Sequence, residues 1–261
     1  AGTERFAEAT PDTVDAILTE AAKMCEEVIA PLNRAGDLHP AHLENGVVRT
    51  SPGFADGYAA IAEGGWIGMS ADPAFGGMGL PMTLTTSVNE MIASACLALQ
   101  LSPLMTQGQI EALEHHASDT IKDLYLPKLI SGEWSGTMNL TEPHCGTDLG
   151  LMRTKAEPQE DGSYKITGQK IWTTAAHLTD YMFCLCRTEP DAPKHAGISY
   201  LLIDMKQPGI DVRPLKHMNV FGRQDLKKSW GRVLAAMGHG SKAQSPGPID
   251  DSLGCNFPPP G

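Results

Sequence analysis

The sequence predicts an α+β fold: an N-terminal all-α domain followed by a β-sheet, barrel-like middle domain. Three observations carry this reading. Apolar residues recur at helical spacing through the first half of the chain. From about Trp134 the period shortens to strand-like segments punctuated by turn residues. All the helical segments precede all the strands, which argues for two units rather than an alternating parallel sheet. At 261 residues, 41% hydrophobic and 20% charged, the chain is long enough to bury a sizeable core.

The first helix starts at Thr10, an N-cap, with Pro11 at the first helical position, where a missing N–H costs nothing. Val14, Ile17, Leu18, Ala21, Cys25, Val28 and Ile29 then share one face, Lys23, Glu26 and Glu27 turn outward, and Pro31 is expected to end the run. A second helix is expected over 54–62, followed by the Gly-rich turn Phe75-Gly76-Gly77-Met78-Gly79. A third runs from Pro81 through Leu84, Val88, Met91, Ile92, Ala95 and Leu99, with shorter pieces over 110–116 and 121–129, the latter opened by Ser118 and Asp119. Strand signals follow at Leu140, Ile166, Ile171-Trp172, 181–185 and 198–203, separated by turns such as Asp161-Gly162 and Gln207-Pro208-Gly209. The last 18 residues hold five prolines and three glycines and read as a disordered tail. The expected division is a helical domain over 1–132, an incomplete β domain over 133–215 and a divergent, disordered tail over 216–261.

Charge and composition exclude several classes. Twenty Lys and Arg against 31 Asp and Glu give a net charge of −11, the wrong sign for a nucleic-acid binder. No apolar run approaches the ~20 residues of a membrane span, and Ala1 to Arg5 lack the basic and apolar regions of a signal peptide. Six cysteines, at 25, 96, 145, 184, 186 and 255, are too scattered for a disulfide scaffold. Cys184 and Cys186 can share a strand face, but no second pair completes a zinc site, so no metal is expected. Buried reduced thiols suit a bacterial cytoplasm or a reducing organelle matrix.

The standard nucleotide-binding signatures are absent: Gly77-Met78-Gly79 lacks a third glycine at the right spacing, and no phosphate-loop motif exists. His144-Cys145 is not read as a thiol–imidazole pair, because adjacent loop residues rarely face each other. The densest candidate is Met138-Asn139-Leu140-Thr141-Glu142-Pro143-His144-Cys145-Gly146-Thr147-Asp148, which leaves a strand and carries two hydroxyls, two carboxylates among its acids, and a glycine. It is either a plain turn or a loop offering N–H and hydroxyl donors to an anion or a polar ring edge. Downstream, Gly168-Gln169-Lys170-Ile171-Trp172-Thr173-Thr174 brackets an indole with hydroxyls. Trp172 is either a core residue on a strand or an aromatic plate for a flat heteroaromatic ligand.

Together, Thr141-Glu142-Pro143-x-x-Gly146-Thr147-Asp148 and Gly168-Gln169-Lys170-Ile171-Trp172-x-Thr174 resemble the paired flavin-binding signature of the acyl-CoA dehydrogenases. The resemblance extends from about residue 12 to 215 and includes Trp66-Ile67-Gly68, Phe75-Gly76-Gly77, Tyr125-Leu126-Pro127-Lys128-Leu129 and Gly197-Ile198-Ser199-Tyr200-Leu201-Leu202-Ile203-Asp204. The wording of 141–151 and of 43–50 is most similar to the subgroup containing 3-methylmercaptopropionyl-CoA dehydrogenases, whereas 171–177 resembles other branches. The resemblance implies FAD as cofactor. It implies that Met138, Leu140, Thr141, Gly146 and Thr147 lie along the flavin and its pyrophosphate, Thr147 also near bound substrate. Trp172, Thr173 and Thr174 are implied to flank the ring, Thr174 near its reactive nitrogen. The implied reaction is α,β-dehydrogenation of an acyl-CoA thioester to a trans-2-enoyl-CoA, a step of fatty acid metabolism. Electron-transfer flavoprotein is the implied acceptor and a homo-oligomer the implied assembly.

After Val212-Arg213-Pro214-Leu215 no further match to that family is found, and the four-helix C-terminal domain with its glutamate base is absent. No catalytic residue is therefore assigned, since Glu142 belongs to the flavin loop and Asp148 braces it. The reading is a truncated acyl-CoA dehydrogenase, inactive on its own. The alternatives are a non-catalytic flavin- or partner-binding module, or an acyl-CoA oxidase or flavin monooxygenase on the same fold.

Overall fold

The computed structural model describes residues 6–44 and 47–214 and the backbone of 230–236. Helix α1, Pro11–Met24, starts as its sequence dictates, with the Thr13 N–H donating to Thr10 Oγ1 at 3.3 Å. Pro31 does not end the run. The chain winds on through one π turn, Cys25–Ile29, into α2, Ala30–Leu38. The Ala30 N–H donates to the Cys25 carbonyl five residues back. That wide turn accommodates proline's ring and missing donor where a regular helix would clash.

A two-strand hairpin follows, β1 His42–Glu44 with β2 Val47–Arg49, and then α3, Phe54–Glu63, one residue longer than expected. The Gly-rich turn is sterically required, because a Cβ on Gly77 would collide with the Ala71 carbonyl. Helix α4, Met82–His116, joins the two expected runs into one rod broken at Cys96 (φ −155°, ψ 90°). Polar side chains staple across the break. Gln100 Nε2 donates to Asn89 Oδ1 (2.8 Å), Asn89 Nδ2 to Gln107 Oε1 (2.8 Å), and Gln107 Nε2 to the Trp66 carbonyl (3.1 Å). Among the described residues α4 is the one helix long and apolar enough, by length and composition alone, to cross a membrane. Its break, its buried Thr85, Gln100, Thr106 and Gln109, and its packing on α1 and α2 make it the central helix of the core.

Helix α5, Asp119–Ile130, buries Ile121, Tyr125, Leu126, Leu129 and Ile130 against α4. The chain then crosses to the sheet at Trp134, whose indole lies 4.3 Å beneath Lys128 Nζ and packs on Tyr125 and Tyr181. The strands are β3 Gly136–Asn139, β4 Lys155–Pro158, β5 Tyr164–Thr174, β6 Tyr181–Arg187, β7 Ile198–Asp204, β8 Ile210–Pro214 and β9 Trp230–Ala236. Their order is β3-β6-β4-β5-β9-β8, with β7 paired to β6 off that path. Strict alternation divides β6 and β7. Phe183 and Leu202 join the helical core, while Met182, Cys184, Cys186, Leu201 and Ile203 form a second core with Ala156 and Ile166.

The sheet therefore packs directly on the helices. At Gly136 the approach is tight enough that any Cβ would land on the Gln109 carboxamide of α4. Within the segment expected to be a disordered tail, Trp230–Ala236 is a strand, paired antiparallel with β5 on one side and β8 on the other. Its backbone covers edges of β5 and β8 that would otherwise lack a partner there. The remainder of that expected tail, 216–229 and 237–261, lies outside the described residues, as does Leu215.

Candidate functional site

β3 delivers its residues alternately to two sides. Thr137 and Asn139 are fully buried, while Met138 and Leu140 are half-buried against the helical core. β3 and β5 are separated by two strands in the sheet, so polar groups, not a ladder, join them. Thr137 Oγ1 donates to the Thr174 carbonyl (2.6 Å) and Thr173 Oγ1 to Asn139 Oδ1 (2.6 Å). The Ile171 N–H donates to the Thr141 carbonyl (2.9 Å), and Lys170 Nζ donates to the Leu140 carbonyl (3.2 Å).

Beyond β3 the chain turns on itself. The Glu142 N–H donates to the Cys145 carbonyl at 2.7 Å, and the Cys145 N–H to that of Glu142 at 3.2 Å. This turn folds Gly146 back onto Thr141, so that a Cβ there would meet Thr141 Cγ2 at 3.1 Å. Glu142 points inward. Its carboxylate accepts from the N–H groups of Arg153 (2.8 Å) and Thr154 (2.9 Å) and from Lys170 Nζ (2.9 Å). Burial alone would raise its pKa, but the hydrogen bonds from Thr154, Lys170 and Arg153 together hold it below the usual carboxylate value. Asp148 accepts from the Gly150 N–H at 3.2 Å and so caps the short turn after the loop. Thr147 is exposed.

Cys145 is buried, and its thiol pKa is pushed up first by burial and then by the Glu142 charge, which is the opposite of what activates a nucleophile. Ligand atoms of Glu142, His144 and Cys145 lie within 4.8 Å of one another. The Lys170 ammonium on the same carboxylate already supplies the positive charge there.

The second segment departs from the simple strand expectation. Trp172 adopts φ 62° and Ala175 φ 53°, both in the left-handed region. The β5–β9 register shifts between Lys170 and Thr173, so a bulge interrupts the two-residue repeat that would set Trp172 and Thr174 on one face. The indole is 45% exposed, which overturns the reading of Trp172 as a core residue. Thr173 is fully buried and its hydroxyl is engaged by Asn139, while Thr174 is half-buried. The structure thus brings Leu140, Thr141 and Gly146 beside the 170–174 bulge, with Met138 on the helix side and Thr147 at the loop's outer end.

Sequence reasoning missed Lys170, Asn139 and the bracing role of Glu142. The signal was present: Ile166, Gly168 and Lys170 occupy alternate positions, and a lysine on the inward side of a strand needs an anionic partner.

Comparison with known proteins identifies the family and the fold. Residues 11–133 match the acyl-CoA dehydrogenase N-terminal domain and residues 137–230 the acyl-CoA dehydrogenase middle domain. The second match runs past residue 215, where the sequence resemblance was expected to stop. The chain is 42% identical over 205 residues to the 3-methylmercaptopropionyl-CoA dehydrogenase of Ruegeria pomeroyi, covering 77% of this chain and 35% of that protein. Glutaryl-coenzyme A dehydrogenase in its glutaryl-CoA complex superposes with a TM-score of 0.74 at 21% identity, covering 91% of this chain and 56% of the other. PigA with FAD and proline superposes with a TM-score of 0.72 at 20% identity, covering 90% and 59%. The chain thus spans about a third of the length of its curated relative and little more than half of these solved chains. By the two domain matches, the relative and the shared fold, it belongs to the acyl-CoA dehydrogenase family.

Proposed function

We propose that the β3 loop and the β5 bulge form the flavin cradle of an FAD-dependent acyl-CoA dehydrogenase, converting an acyl-CoA thioester to a trans-2-enoyl-CoA. The carrying observation is a half-exposed indole held at positive φ beside a loop that is hydrogen-bonded to the same strand. The residues fit a flat, anionic cofactor. Trp172 offers an aromatic surface, Thr141, Thr147 and Thr174 offer short donors, and Gly146 leaves clear the space its Cβ would fill against Thr141. FAD, when bound, supplies the hydride acceptor that no side chain can provide.

The chain's own residues bind and orient. In this reading Met138, Leu140, Thr141, Gly146 and Thr147 run along the flavin and its pyrophosphate, and Thr147 also borders the substrate. Trp172 and Thr174 flank the ring, and Thr173, whose hydroxyl is spent on Asn139, contributes its main chain. Proton abstraction is assigned to no residue of this chain: Glu142 is committed to Lys170 and two N–H groups, and Asp148 to its cap. The proposal extends, on family membership, to electron-transfer flavoprotein as acceptor and to a homo-oligomer, with a helical domain over 1–132 and a β domain that begins at 133 and runs past 215. Five described cysteines, all free and buried, support a reducing cytoplasm or matrix.

Titration of the flavin-free chain with FAD, followed by tryptophan fluorescence, tests the reading. Saturable one-to-one quenching is expected, with FMN binding more weakly because it lacks the pyrophosphate. No saturable binding would count against the cradle.

A further inference from the structure

We infer that the buried Lys170–Glu142 ion pair is a clasp that sets the loop and the bulge in register, with Lys170 acting as a positioning residue for the cofactor. The inference rests on the flavin reading above. Lys170 and Glu142 are 3% and 2% exposed in their side chains and stand 2.9 Å apart. Removing two charges from water is expensive, and nothing is recovered unless the remaining donors and acceptors are also satisfied. Here they are. One carboxylate oxygen accepts from Lys170 and the Thr154 N–H, the other from the Arg153 N–H, and the ammonium also reaches the Leu140 carbonyl.

Three segments meet at this point: the loop after β3, residues 153–154 just before β4, and β5 immediately before its bulge. β3 and β5 share no ladder, so their separation is set at this end by these contacts and the Ile171–Thr141 backbone bond, and farther along by the Thr137–Thr174 and Thr173–Asn139 hydrogen bonds. Lys170 makes two of the contacts and sits two residues before Trp172, while Glu142 follows Thr141 directly. A change in the pair therefore moves the indole relative to the loop donors. The pair itself is buried away from any ligand. Its effect on a bound cofactor passes through its neighbours.

The test uses the whole chain with Lys170→Met, Glu142→Gln and the double variant, which leaves no unpaired buried charge. Amide hydrogen exchange is read over residues 140–147 at a temperature where circular dichroism remains native, alongside FAD affinity and melting temperature. Each variant is expected to exchange about tenfold or more faster across 140–147, with β6 and β7 unchanged, and to bind FAD about tenfold or more weakly. The double variant is expected to recover melting temperature without recovering loop protection or affinity. If neither single variant folds, the double variant alone carries the test. Native-like loop exchange in folded variants overturns the clasp, because a purely structural pair would lower melting temperature and leave the loop untouched. Wild-type chain that takes up no FAD overturns the functional reading, and with it the clasp's role toward a cofactor.

Discussion

Replacing Trp172 by alanine and by glycine separates the two roles that an indole on a strand can play. The residue sits at φ 62°, where a side chain costs ~1–3 kcal/mol and glycine costs almost nothing. In an ordinary strand glycine is ~0.5–1 kcal/mol worse than alanine. At this position the sign should reverse, with Trp172→Gly more stable than Trp172→Ala by about 1 kcal/mol. The indole is 45% exposed, so truncation removes roughly half of the ~150–250 Å² that a tryptophan buries. At ~25 cal/mol per Å² that is at most ~2–3 kcal/mol, against ~3–5 kcal/mol with a cavity for a core tryptophan. Urea unfolding followed by circular dichroism gives both differences, and FAD titration of the same proteins should show weakened binding in each. A glycine variant less stable than the alanine variant, or a truncation cost above ~4 kcal/mol, would refute the argument from backbone conformation and exposure.

Three further outcomes follow from the geometry. Gly136→Ala should lower stability by ~1–3 kcal/mol, since the new methyl lands on the Gln109 carboxamide. Gln109→Ala in the same chain should then cost less than it does alone, as thermal unfolding of the four proteins would reveal. His177 has its pKa lowered to about 4 by burial, so the folded state favours the neutral ring. Its contribution is fully present above the unfolded value of ~6.5 and is lost as pH falls toward about 4. His177→Gln should flatten the stability profile over that window, which a pH series of denaturant midpoints would detect.

The helical half was largely legible, because caps and apolar periodicity are local signals. Thr10 with Pro11 starts α1, and the 54–62 stretch is a helix as its spacing predicts. What escaped depends on non-local geometry. The π turn that carries the chain past Pro31 leaves no mark in composition, nor does the break at Cys96, which joins two expected helices into α4. At the site, the two motifs and their proximity were readable, but the bulge at Trp172 was not, since alternation alone assigns an uninterrupted strand. Thr173 looked like one more hydroxyl for a ligand, yet its partner is Asn139, 34 residues earlier on a strand that no ladder joins to its own. Likewise, β9 shows itself only through its neighbours, β5 and β8.

The most direct test of the account is a residue-resolved map of backbone amide perturbation in isotope-labelled chain as FAD is added. The cradle predicts that shifts and exchange protection concentrate at 138–147 and 171–174, with the α1–α3 helices unaffected. Perturbation confined to the helices, with both site segments unchanged at saturating FAD, would contradict it.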